Sequence, residues 1–244
     1  MTTSSAARPP APNMANIAPV AALMADPARA AMLEALVSGP PLASGELGQI
    51  AGVSPATASA HLGRLLDGGL VSVTQQGRHR YYRLAGHEVA TVLEVLSSIC
   101  PPGPARSLRQ SREAAALAQA RTCYDHLAGR AGVALFDALI EGGMLTGSGT
   151  GTSAAYEVTG DGADVLAGFG VDLAEVRRSR RRFAGACLDW TQRQPHLNGA
   201  LGAAVTARLL ELGWIERGPS RRAVRVTGPG RDGLAATFGW APAD

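Results

Sequence analysis

Four consecutive residues, Cys123, Tyr124, Asp125 and His126, carry a thiol, a phenol, a carboxylate and an imidazole. A second group follows at Cys187, Asp189, Trp190 and His196. Two thiols and two imidazoles make a sound tetrahedral zinc set, although Cys-x2-His and Cys-x8-His match no strong zinc signature. A trivalent metalloid would use the softer thiolates, Cys123 and Cys187 with Cys100 or a cysteine of a partner chain. A redox switch needs only Cys123 and Cys187 close together. A small-molecule pocket would take Trp190 and Tyr124 as walls and arginines as anchors. A Cys–His nucleophile pair beside an Asp can also be written. No Gly-rich phosphate loop, nucleophile elbow or HExxH motif accompanies it, so no enzyme is expected. Packing stands beside all of these, because free cysteine is commonly a small buried hydrophobe. The effector, whether metal, metalloid or small molecule, stays open at this point.

Composition narrows the setting. At 244 residues the chain accommodates one large or two modest domains. All 23 basic residues are arginine, which excludes Schiff-base lysine chemistry and a Walker-type phosphate lysine. Arginine supplies phosphate contacts and bidentate base contacts equally well. No apolar run reaches the roughly 18–20 residues that span a bilayer. Residues 1–17 read as a disordered Pro/Ala tail without a signal-peptide pattern. Three cysteines without framework spacing suggest a reducing cytoplasm.

The elements that must position these groups begin with clear start and stop signals. Asp26-Pro27 reads as an N-cap with proline at the first helical position, and the helix carries Met32, Leu33, Leu36 and Val37 on one face. Ser44 is expected to cap a short helix closed by Gly52, and Ser54-Pro55 repeats the capping device for a helix ending at Gly68-Gly69. Two short strands then flank a polar loop from Gln75 to Arg80, and Val89, Val92, Leu93, Leu96 and Ile99 keep helical spacing. This order is that of a winged helix-turn-helix. The helix from Ser54 sets Thr57, Ser59, His61 and Arg64 among small residues, which suits a major groove. The wing concentrates Arg78, Arg80 and Arg83 with Tyr81 and Tyr82, which suits phosphate or minor-groove contact.

The segments DPARAAMLEAL, SPATASAHLGRLLDGGLV and GRHRYYRLAG resemble the ArsR/SmtB family of bacterial repressors over about residues 18–100. The resemblance implies a homodimer, built on the first and last helices of this region, that binds double-stranded DNA at an inverted repeat and releases it when an effector arrives. From their places on the helix and wing, Ser54, Thr57, Ser59, His61, Arg64, Arg78, Arg80 and Tyr81 are the expected DNA-binding residues. Two familiar sensing positions of that family are absent. LASGELGQIAG has no thiol before the recognition helix, and GHEVATVLEVLSSIC has only His87 and Glu88 as ligand types. Sensing is therefore expected in the additional C-terminal portion.

A linker is expected at 101–108 and an effector-sensing domain at 109–244. The segment from Arg112 to Gly143 reads as helical, broken near Gly129–Gly132, so Cys123 and His126 would lie one helical turn apart. A gapped repeat follows, pairing Val158-Thr159-Gly160 with Val226-Thr227-Gly228 and Leu166 with Leu234. It suggests duplicated winged-helix-like units. Five arginines between Arg177 and Arg182 form the strongest positive run, suited to a second DNA contact, an anion clamp or a solvated face. The expected class is α+β: mainly helical with small β-hairpins. A DNA-binding protein with no effector remains an alternative.

Overall fold

The computed structural model describes residues 15–100, 107–148, 155–218, 220 and 222–240. Most of the expected tail (1–17) and of the expected linker (101–108) lies outside the described residues. Contacts divide the chain into two compact units, residues 1–34 with 41–85, and 35–40 with 86–244. The helix expected to end the first domain is thus grouped with the second unit. No helix among the described residues is long and apolar enough to cross a membrane.

The first unit contains α1 (Ala18–Met24), the greater part of α2 (Pro27–Leu36), β1 (Leu42–Ala43), α3 (Ser44–Ala51), α4 (Pro55–Asp67), β2 (Val71–Gln76) and β3 (His79–Leu84). Asp26 caps α2 by accepting the Arg29 amide at 2.9 Å. That hydrogen bond and the Arg29 charge hold the Asp26 carboxyl below its usual range. The cap of α3 differs from expectation. Ala43 is already extended in β1, paired with Tyr81, and occupies the N-cap position. Glu46 reaches back to accept the Ala43 amide at 2.8 Å, so Ser44 is the first helical residue. Ser54 caps α4 as expected, its Oγ accepting from the Thr57 amide at 3.2 Å. Ala58, Leu62 and Leu65 form the buried face of α4. Strands β2 and β3 pair up to Gln76 and His79, so the polar loop shrinks to a two-residue turn at Gly77 and Arg78. Gly77 lies at φ +59, where a side chain would be strained.

The second unit contains α5 (His87–Ile99), α6 (Leu108–Gln119), β4 (Arg121–Cys123), β5 (His126–Ala128), α7 (Gly129–Glu141), β6 (Leu145–Ser148), β7 (Ala155–Val158), α8 (Gly160–Phe169), α9 (Leu173–Arg177), β8 (Gly185–Leu188), β9 (Pro195–Asn198), α10 (Gly199–Glu211), β10 (Ile215–Arg217), β11 (Val224–Val226) and α11 (Gly228–Phe238). The helical reading of 121–128 is corrected here: this stretch is a hairpin. Tyr124 takes φ +61 in its tight turn, and the backbone of β4 finds a distant partner through the bridge Arg121↔Ala223.

The same order of elements occurs twice in the second unit, over longer segments than the sequence repeat spans. Each copy is a hairpin, a 13-residue helix, a second hairpin and a helix: β4–β5, α7, β6–β7, α8, then β8–β9, α10, β10–β11, α11. The sheets cross between copies. Hairpin β8–β9 of the second copy joins β7 of the first through Ala155↔Gly185. Hairpin β4–β5 of the first copy meets β11 of the second through Arg121↔Ala223, with Val224 N donating to Ala120 O at 3.0 Å. One core serves both copies, with Leu135, Leu139 and Leu166 of the first among Leu201, Leu209 and Leu234 of the second.

The second helix of each copy is fastened in the same way. Thr159 accepts from Gly162 N at 3.0 Å and donates to Gly143 O at 2.8 Å, and Thr227 repeats both distances with Gly230 and Gly213. The helices lie so close to the preceding turns that a Cβ on Gly162 would stand 2.1 Å from Met144 O, and one on Gly230 1.9 Å from Trp214 O. Gly162→Ala and Gly230→Ala should each destabilise the unit by about 1–3 kcal/mol in urea denaturation. A loss under about 0.5 kcal/mol would mean that these helices move aside freely.

Candidate functional site

Two constellations carry chemistry, one in each unit. In the first, α4 has an open and a buried face, although Leu66 near its end is 38% exposed. Ser54, Ala56, Thr57, Ser59, Ala60 and Arg64 are exposed, opposite the buried Ala58, Leu62 and Leu65. His61 departs from that open face: its Nδ1 stands 3.7 Å from the Asp26 carboxylate, with only 15% of the side chain exposed. In the wing, Arg78, Arg80 and Arg83 are exposed, Tyr81 is half-buried and Tyr82 belongs to the core. Arg83 donates to Ser72 Oγ at 3.3 Å across the hairpin.

In the second unit, the tips of β4–β5 and β8–β9 bring Cys123, His126, Cys187 and His196 together. All four are buried, and one ligand atom from each lies within 4.8 Å of the others. Each hairpin supplies a cross-strand pair, Cys123↔His126 and Cys187↔His196. The two imidazoles stack with ring centroids 5.2 Å apart. The corrected hairpin is what makes this possible, since strand neighbours on one face approach more closely than residues one helical turn apart.

A carboxylate from each hairpin stands behind its own histidine. Asp125 Oδ1 is 3.3 Å from His126 Nδ1, and Asp189 Oδ2 is 3.6 Å from His196 Nδ1. Asp125 is held by Arg181, whose Nη1 donates at 2.5 Å. Asp189 is wholly buried and paired with the equally buried Arg121 at 2.9 Å. It also accepts the Gly129 amide at 2.6 Å, the Thr191 hydroxyl at 2.7 Å and the Gln192 amide at 3.0 Å. Burial works against its charge, but Arg121 and these donors prevail and hold the carboxyl far below its usual range.

The charges inside the cluster are arranged against one another. Burial disfavours a cation on His126, yet Asp125 and Cys187 hold it up to about 9. Burial and the neighbouring His126 press His196 down to about 3. The Cys123 thiol donates to Cys187, which favours thiolate on Cys187 and, with burial, keeps Cys123 protonated. Asn198 Nδ2 adds a donor 2.8 Å from Cys187 Sγ. Helix α5 borders the cluster: the His87 ring centroid lies 6.2 Å from that of His126, and Arg181 reaches His87 Nδ1 at 3.4 Å. Glu94 of α5 is buried and paired with Arg222, whose Nε donates to Thr122 O at 3.2 Å.

Some expected members lie elsewhere. Trp190 lies under the Arg121 guanidinium, 4.7 Å from carbon to ring centroid, outside the group of four. Cys100 is exposed and not among the four. The arginine run is partly absorbed, since Arg177 pairs with Glu157 and covers Phe183 while Arg181 holds Asp125. Sequence reasoning missed the Arg121–Asp189 pair and the oriented carboxylates. A signal for the carboxylates existed, because Cys-x-Asp followed by His-Leu-x-Gly-x-x-Gly occurs at Cys123–Gly132 and again at Cys187–Gly202, but none marked Arg121, which has Gly185 in its place in the second copy.

A helix-turn-helix domain family model matches residues 24–74. The chain is 45% identical over 216 residues to the HTH-type transcriptional regulator YdfF of Bacillus subtilis (strain 168), covering 88% of this chain and 94% of that protein. Among solved structures it is similar to NolR from Sinorhizobium fredii, at 33% identity over 34% of this chain and 81% of that one, with a TM-score of 0.32. A homodimeric winged helix-turn-helix domain, Mb0332 from Mycobacterium bovis, shows 32% identity over 34% of this chain and 76% of that one, with a TM-score of 0.32. Both structural likenesses are confined to about a third of the chain. The relative from Bacillus subtilis, by contrast, matches across nearly the whole length, and the chain accordingly belongs to the HTH-type transcriptional regulators.

Proposed function

We propose that the protein is a homodimeric cytoplasmic repressor, without catalytic activity, that leaves an inverted-repeat operator when its C-terminal unit senses an effector. The observation that carries this reading is the division of α4, with small residues, short donors and Arg64 on its open face and Ala58, Leu62 and Leu65 on the buried one. Such a face enters a major groove closely, with Ser54, Thr57, Ser59 and Arg64 at base edges or phosphates. His61 belongs to the same helix but braces it against Asp26. Arg78 and Arg80 meet the flanking phosphates, steadied by Tyr81.

Dimerisation is supported by the outer side of α5. Val92, Val95, Leu96 and Ile99 recur at helical spacing and are 40–74% exposed, an apolar stripe suited to a second copy. Because the other side of α5 carries His87 and Glu94 into the surroundings of the cysteine–histidine cluster, a change there reaches the dimer helix directly. A coupling of roughly 3 kcal/mol would alter operator affinity about a hundredfold.

The test is selection of duplexes from a random pool, followed by anisotropy titration of the selected sequence at fixed salt. An inverted repeat with half-sites about one helical turn apart should be enriched. Arg64→Ala should lose about 1–3 kcal/mol of discrimination per half-site. Arg80→Ala should weaken all duplexes alike and reduce the salt slope by about 1. An unenriched pool, or an Arg64→Ala protein with unchanged selectivity, would overturn the groove assignment.

A further inference from the structure

Two thiols and two imidazoles converge in the interior of the second unit from hairpins belonging to different copies of the repeat. Burial of this many polar atoms is costly unless each has a partner. Among the described residues, His126 Nε2 and both ring nitrogens of His196 have no hydrogen-bond partner, though each ring is at most 1% exposed. The Nδ1 atoms of the two histidines lie 3.3 Å from Asp125 and 3.6 Å from Asp189, which leaves each Nε2 as the nitrogen available to a cation.

We propose that Cys123, His126, Cys187 and His196 bind one zinc-class divalent cation in a closed tetrahedral site that staples the two copies together. Zinc-to-sulfur distances of about 2.3 Å and zinc-to-nitrogen distances of about 2.0–2.1 Å separate tetrahedral donors by roughly 3.3–3.8 Å. The cluster, spanning at most 4.8 Å, closes to that size with small side-chain movements. Two thiolates and two neutral imidazoles balance a divalent charge, so the bound site is neutral as a whole and suits its burial. Sulfur and imidazole in a tetrahedral set select zinc over the hard oxygen-seeking cations. Four protein ligands leave no position for a water, so the site holds and does not catalyse.

The carboxylates complete the arrangement. A carboxylate behind a ligating imidazole fixes its tautomer and raises its basicity. Here both histidines have one, each from its own hairpin, and Asn198 donates to Cys187 as well. Asp125 and Asp189 are thus positioning residues, acting on the cation through His126 and His196. The repeated Cys-x-Asp then has a single explanation: the first residue binds the cation, and the second orients the histidine of the same hairpin.

The experiment uses the full-length reduced protein, stripped with a chelator and titrated anaerobically with cobalt(II) in the absence of DNA. One equivalent per chain should develop the intense visible bands of tetrahedral cobalt and a thiolate-to-cobalt charge-transfer band, and zinc(II) should bleach both. Cys123→Ser and Cys187→Ser should each lose the charge-transfer intensity of one thiolate, whereas Cys100→Ser should leave the spectrum unchanged. Asp125→Asn keeps all four ligands and should weaken cobalt binding by roughly 10–100-fold. Wild-type protein that develops no tetrahedral bands would overturn the site, with no variant needed. Bands unaltered in Cys123→Ser and Cys187→Ser would place the metal elsewhere, and a Cys123–Cys187 disulfide formed on adding one equivalent of hydrogen peroxide to protein that takes up no cobalt would make the thiols a redox pair instead. Because no DNA enters the assay, its outcome is separate from that of the repressor reading.

Discussion

Asp189→Ala should cost the second unit about 3–5 kcal/mol of unfolding free energy, because it leaves the Arg121 guanidinium buried without its counter-charge. Both side chains are completely buried. The carboxylate also accepts the Gly129 amide at the start of α7, and the Thr191 and Gln192 amides that shape the turn of β8–β9. One substitution therefore strands a cation and three backbone donors together. Denaturant unfolding followed in the far ultraviolet is the measurement. A double variant, Arg121→Met with Asp189→Leu, should recover much of the loss, since a buried pair replaced by apolar groups of similar volume is often neutral. If Asp189→Ala lost less than about 1 kcal/mol, water must reach Arg121 and the pair is not the sealed interaction its geometry describes.

Leu62→Ala should destabilise the first unit by about 2–5 kcal/mol, the range for a fully buried leucine whose cavity relaxes only in part. Leu62 is completely buried on the inner side of α4, between Ala58 and Leu65, while Arg64 lies on the open side. A domain of ordinary stability holds about 5–15 kcal/mol in total, so this loss brings α4 near melting at growth temperature. The expected signature is thermal: Leu62→Ala protein should bind the selected duplex in the cold and release it on warming. Arg64→Ala should be impaired at every temperature, because it removes a contact and leaves the scaffold intact. Equal temperature dependence for the two variants would place Leu62 in the interface and refute the assigned faces.

The first unit was largely legible because its signals are local. Asp26-Pro27, Ser54-Pro55 and Gly52 mark helix ends through the backbone needs of a single turn, and the structure uses each of them. Even the displaced cap at Ala43 has a local cause, the Glu46 carboxylate three residues on. The segment 121–128 was illegible for the opposite reason. It follows an alanine-rich helix, its turn has Tyr124 where glycine or asparagine would announce a hairpin, and its outer pairing is with Ala223. The four candidate ligands were legible as types but not as a set. Their spacings, Cys-x2-His and Cys-x8-His, follow the turn lengths of two hairpins that meet only in the folded unit. Asp125 was legible as the neighbour of His126, whereas Asp189, seven residues before His196, meets its histidine only through the register of β8 and β9.

The crossed sheets make the C-terminal unit a covalent counterpart of a domain-swapped dimer. Each copy lends its cysteine–histidine hairpin to the edge of the other copy's second hairpin, so neither owns a complete sheet. In a chain with a single copy, these edges would be open, and satisfying them would require a second molecule. Fusing the two halves replaces that encounter by an intramolecular one, at an effective concentration set by the tether of α8 and α9. The assembly of the two copies is then insensitive to dilution. It also means that the unit has no internal cut point: the boundary between α9 and β8, where the repeat ends in sequence, is not a boundary between independently folding pieces.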